Sequence, residues 1–143
     1  MRIKFWLMAV QAISAVLVFG GPAFSQSFDG QYKATLNCDK LPFTKAPLTN
    51  EPVTLTISGG RVSYSRTLYG YDRNTIVGKE VGAGNVAADG MITLSGGWKG
   101  QRDSLKASYR GKLAGGSAAL VGKHVMTYQG QTYDRACSMI IAK

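Results

Sequence analysis

The residues best equipped for chemistry in this 143-residue chain are few and scattered. There is one histidine, His124, and there are two cysteines, Cys38 and Cys137. A nucleophile–base pair would have to use His124, and no Gly-x-Ser-x-Gly elbow presents a serine to it. Acidic residues number only 8, mostly at turns or beside basic residues, so paired carboxylates for general acid–base work are scarce. No phosphate loop, dinucleotide fingerprint or calcium loop occurs. The expectation is a protein that is not an enzyme, with no cofactor and with His124 in a structural or surface place. A metal centre at Cys38 and Cys137 would want more Cys or His than one histidine adds, so no metal site is expected either.

The compartment decides what the cysteines do. Arg2 and Lys4 precede an apolar run from Phe5 to Phe19, interrupted only by Gln11 and Ser14. Gly20-Gly21-Pro22 breaks the run, and Ala23 and Ser25 are small residues at cleavage-site spacing. This is the pattern of a secretory signal peptide over residues 1–25. The run is shorter than the roughly 20 residues a spanning helix needs. Residues 26–143 are then one exported domain, periplasmic or secreted, and not membrane-spanning after cleavage. Two cysteines in an oxidising compartment pair as one disulfide. Cys38 and Cys137 lie near the two ends of the exported chain, so the bond would staple its termini together.

Eight strand-like segments must carry these residues. Gly is frequent at 18 and Pro sparse at 4, the balance of tight turns between strands. Tyr32, Ala34, Leu36 and Cys38 alternate with Lys33, Thr35 and Asn37, a half-buried strand by its period of two. Further strands are expected over 53–57, 61–68, 75–88, 91–98, 104–112, 117–127 and 131–141. Ser58-Gly59-Gly60, Asp89-Gly90, Ala114-Gly115-Gly116 and Gln129-Gly130 supply hairpin turns. Gly78, Gly82 and Gly84 point to curvature or bulges in the fourth strand. The fold class is all-β: an antiparallel eight-stranded meander closed into a small barrel, with a β-sandwich as the alternative. Closure would lay the first strand against the last and bring Cys38 to Cys137. A membrane-spanning barrel is not expected, because the faces opposite the core carry Lys, Thr, Ser and Arg in place of an apolar band.

Candidate site residues follow from the parity of these strands. Tyr64, Arg66, Trp98 and Tyr109 fall on core-facing positions. Arg66 is the unusual one: it reads either as a rim residue snorkelling from a bulge or as an anion anchor inside a cavity, with the aromatics supplying contact area. Two loops stand out as interaction surfaces. One spans 39–50, where Phe43 and Leu48 are expected to fold back on the core. The other spans 69–74 and holds Tyr69, Tyr71 and Arg73. Lys106, Arg110 and Lys112 line the outward face of the sixth strand and form the best candidate for an anion-binding exterior.

Charge narrows the partner. The net charge is +9, and loss of Arg2 and Lys4 leaves +7. Exported basic proteins meet cell-surface polymers, lipid head groups and acidic proteins, so no nucleic-acid partner is expected. The reading is a small exported barrel that binds a small, anionic molecule. The alternatives are an envelope protein-interaction or inhibitor module working through loops 39–50 and 69–74, and a structural envelope protein. In size, leader, turn pattern and single disulfide the chain resembles small exported β-barrel domains of Gram-negative bacteria, such as lipocalin-like and protease-inhibitor barrels. No family motif accompanies that resemblance, so it assigns no functional residue.

Overall fold

Tight turns at Gly59-Gly60, Asp89-Gly90, Gly115-Gly116 and Gln129-Gly130 join four pairs of neighbouring strands, and loops make the other three connections. The computed structural model describes residues 27–70 and 72–143; the expected signal peptide and Tyr71 lie outside them. Eight strands and no helix occur among the described residues: β1 (Gly30–Cys38), β2 (Leu48–Ser58), β3 (Arg61–Tyr69), β4 (Ile76–Val86), β5 (Met91–Lys99), β6 (Ser104–Ala114), β7 (Ser117–Tyr128) and β8 (Gln131–Ala142). Each pairs antiparallel with the next, and β1 pairs with β8, which closes a barrel and rules out the sandwich. Gly59, Gly60, Gly115 and Gly116 take positive φ in the hairpin turns expected of them.

Closure places Cys38 directly opposite Cys137. The Asp39 N–H donates to Ala136 O at 2.9 Å, just beyond the cysteines. That makes them a non-hydrogen-bonded pair, the position where facing side chains approach most closely. The disulfide forms there with a Cα–Cα distance of 4.0 Å and joins residues 99 apart in sequence.

One strand boundary differs from expectation. β2 begins at Leu48, not Val53, so the loop expected over 39–50 is shortened to 39–47. Asn50 takes a φ of 53° and its N–H donates to Asn37 Oδ1 at 2.9 Å. This bulge carries the ladder with β1 past the irregularity between Leu36 and Cys38. Pro52 sits where β2 has only β1 as a ladder neighbour, an edge-like place that tolerates a residue without N–H.

The barrel interior has two halves. Leu36, Leu55, Ile57, Ile92, Leu120, Met139 and Ile141 are among the side chains that fill one half with no solvent access. Each such burial contributes about 1.5–3 kcal/mol relative to exposure. Glycines make room for the largest rings. A Cβ on Gly82 would meet the Tyr64 ring at 2.2 Å, one on Gly122 the Tyr109 ring at 2.2 Å, and one on Gly78 the Trp98 indole at 2.1 Å. Gly78 and Gly82 of β4 and Gly122 of β7 thus act as bays for aromatics. In the other half of the barrel, Leu41, Leu68 and Leu105 are buried but stand apart from the main cluster, around a cavity.

Candidate functional site

A layer of buried polar side chains separates the packed half of the barrel from that cavity. β3 contributes Tyr64 and Arg66, and β4 contributes Glu80 directly across from Arg66. Arg66 is 6% exposed and Glu80 0%. The Arg66 Nε–H donates to Glu80 Oε2 at 2.7 Å, and the Tyr64 hydroxyl donates to Glu80 Oε1 at 2.9 Å. Both carboxylate oxygens are therefore engaged, which is how a buried charge is tolerated. Burial first, and then the adjacent Glu80 charge, pushes the Tyr64 phenol well above its ordinary value.

Across the barrel, β6, β7 and β8 build the second part of the layer. Tyr109 and His124 are buried, and their rings meet edge to face with centroids 5.9 Å apart. The Arg135 Nη2 and Nε groups point at His124 Nδ1 from 3.2 and 3.4 Å. A guanidinium can only donate, so Nδ1 is the acceptor. In a neutral imidazole the proton is then on Nε2, and Nε2–H donates to the Tyr109 hydroxyl oxygen at 2.5 Å. His124 is held neutral. Burial, reinforced by the positive Arg135 and Arg66, draws its pKa down to about 2. The Tyr109 phenol is pushed up, chiefly by burial.

Arg135 differs from Arg66 in having no carboxylate against it among the described residues. Its neighbours are neutral His124 and, more distantly, exposed Asp39 and the Glu80 charge. Burial and then the positive Arg66 lower its pKa to about 10, so the guanidinium remains charged at neutral pH.

The cavity opens above this layer, at the end of the barrel where β1, β3, β5 and β7 finish. Its volume is about 480 Å³, within the range of small-molecule sites. Arg66 and Arg135 lie along it, and Leu68, Trp98, Leu105 and Met126 give it apolar walls. Two loops form the rim. In the first, Phe43 stacks on Tyr128 at 4.7 Å and meets Tyr133 edge-on at 4.9 Å, so it folds back onto the β7–β8 hairpin. Leu48 packs against the core cluster, as expected. In the second, Asp72 Oδ1 accepts from the Asn74 and Thr75 N–H groups at 3.0 and 2.9 Å. Arg73 reaches from that loop to the buried carboxylate of Glu51 on β2.

The sequence-derived candidates are thus distributed over three places. Arg66 and Trp98 line the cavity, together with Tyr69 and Arg73 at its rim. Tyr64 and Tyr109 lie beneath it in the polar layer and position Glu80 and His124. Arg66 is neither a snorkelling rim residue nor a lone anchor, because Glu80 neutralises it. Lys106, Arg110 and Lys112 are exposed on the outer face of β6, away from the cavity.

Sequence reasoning missed Glu80 and Arg135 as site residues. Both carry the inward parity of their strands, and Glu80 falls opposite Arg66 once the hairpin register is set. It also missed that the ligating atoms of Cys38, His124 and Cys137 lie within 4.8 Å of one another. The two sulfurs are spent on each other in the disulfide, and a metal ligand needs the thiolate. No protein-family model, curated protein or solved structure matches the chain.

Proposed function

We propose that this protein is an exported, non-catalytic binding protein that takes a small amphiphilic anion into the mouth of its barrel. The observation that carries the reading is Arg135: a half-buried guanidinium, charged at neutral pH, beside an apolar cavity and with no carboxylate against it among the described residues. A cation in such a place favours an anionic partner, since the attraction is little screened away from water. Trp98, Leu68, Leu105 and Met126 supply a surface for the apolar part of the ligand. A binding role over a catalytic one is supported by His124, whose two ring nitrogens are both engaged and which stays neutral. The leader and the disulfide support a place in the periplasm or outside the cell.

The test is native mass spectrometry of the protein purified gently from its own cell envelope, beside the Arg135→Gln variant. The reading expects extra mass that is lost on denaturation and absent from the variant. A bare mass for the wild type would count against it. The second reading is contact with an anionic envelope surface or acidic protein. It is favoured by Lys106, Arg110 and Lys112, exposed in one row on β6. Such contact would weaken steeply with salt and would survive Arg135→Gln.

A further inference from the structure

Resting on that reading, we infer that the cavity selects a monoanion, such as an aliphatic carboxylate, over both a neutral amphiphile and a dianion. The fixed charges around the cavity set this preference. Arg66 and Glu80 form a closed pair at 2.7 Å, both almost fully buried, and cancel each other. Glu51 is buried and is met by Arg73. His124, Tyr64 and Tyr109 are neutral: burial lowers the basicity of the histidine and the acidity of the phenols. Among the described residues, Arg135 alone remains along the cavity floor as unneutralised charge; Lys45 at the rim and Asp39, which acts on Arg135 from a distance, are both exposed and solvated. A group of charge −1 seated on Arg135 brings this floor to neutrality. A group of charge −2 leaves one negative charge in a poorly hydrated place beside Glu80, and burying unpaired charge is heavily disfavoured. A neutral head group leaves Arg135 as it was and loses the charge-assisted hydrogen bond.

Geometry supports the same ligand. Arg135 uses Nε and Nη2 toward His124, which leaves Nη1 and the remaining Nη2 hydrogen for a ligand oxygen. That small donor set suits a carboxylate or sulfonate. The His124 and Tyr109 contacts fix where the guanidinium stands, so they are positioning residues for this anchor.

The experiment is calorimetric titration at pH 8.5 with four ten-carbon probes: decanoate, decanesulfonate, decyl phosphate and decanol. At that pH the phosphate is a dianion, because its second pKa is roughly 6, while Arg135, with a pKa of about 10, remains charged. Decanoate and decanesulfonate are expected to bind at least about tenfold more tightly than decyl phosphate or decanol. Glu80→Gln keeps an oxygen for Tyr64 and raises the floor charge by one, so it is expected to reverse the order and favour decyl phosphate. Arg135→Gln is expected to reduce decanoate affinity to that of decanol, with the circular dichroism spectrum unchanged. Because Glu80 is buried, the wild-type comparison and Arg135→Gln decide the matter if Glu80→Gln does not fold. Decyl phosphate binding as tightly as decanoate in the wild type would overturn the monoanion inference and leave the cavity reading standing. Decanol binding as tightly as decanoate would also overturn the inference, since the guanidinium would then do no selecting. Failure of all four probes to bind would overturn the cavity reading together with the inference.

Discussion

His124 makes the stability of this barrel depend on pH in a window where little else titrates. The imidazole is neutral in the folded state, with a pKa near 2, against about 6.5 in an unfolded chain. The folded pKa is depressed, so as pH falls below 6.5 the unfolded state takes up a proton that the folded state refuses. The stabilisation is therefore complete above the unfolded pKa and is lost progressively as pH falls toward 2. Between pH 7 and 5 the loss amounts to about 2 kcal/mol, approaching 1.4 kcal/mol for each unit below 6. Carboxylates, whose ordinary values lie near 4, contribute little there. His124 is the only histidine in the chain, so the slope belongs to one residue. The assay is urea unfolding of the oxidised protein at half-unit intervals from pH 7.5 to 5.0, for wild type and His124→Gln. The variant is expected to be less stable at pH 7.5 and to show a flat profile. A flat profile for the wild type, or the same slope in both proteins, would refute the buried neutral imidazole.

Other perturbations test other contacts. Arg66→Ala removes one partner of a buried pair and leaves the Glu80 carboxylate with only Tyr64, so it is expected to destabilise by about 3–5 kcal/mol in chemical unfolding; a loss under about 1 kcal/mol would show that the pair does not hold the barrel together. Reducing the disulfide releases a loop of 99 residues in sequence separation and is expected to lower the unfolding free energy by up to about 4.7 kcal/mol, with an unchanged midpoint counting against a stapled closure. Gly122→Ala drives a methyl group into the Tyr109 ring and is expected to cost about 1–3 kcal/mol through overpacking; a neutral result would mean that the ring has room to move.

Much of the architecture was legible because strands write a period of two into the chain. Tyr32, Ala34, Leu36 and Cys38 alternate inward as their spacing implies, and the turn dipeptides lie where the hairpins turn. Barrel closure was expected from a meander of eight strands, and the Cys38–Cys137 pair fitted it, although a sandwich would also have tolerated that bond. The start of β2 was not legible: residues 48–50 read as the end of a loop, whereas a bulge at Asn50 carries the pairing with β1 back to Leu48. The site was legible only in part. Arg66 and Trp98 were visible as odd residues on an inward parity. Glu80 was hidden among the glycines of β4, and its role depends on a hairpin register that local sequence does not set. The neutral state of His124 comes from burial, reinforced by Arg135 and Arg66 from two other strands, and that surrounding exists only in the closed barrel.

On the proposed reading, Arg135 anchors an anion in the cavity at the barrel mouth. The most direct measurement is a titration of isotopically labelled protein with decanoate, followed through the Arg135 Nε–H and Trp98 indole N–H resonances. Those two signals are predicted to move together and to saturate at one equivalent, while the exposed β6 residues Lys106, Arg110 and Lys112 stay unshifted. Shifts confined to the β6 exterior, or none at any residue, would contradict the claim.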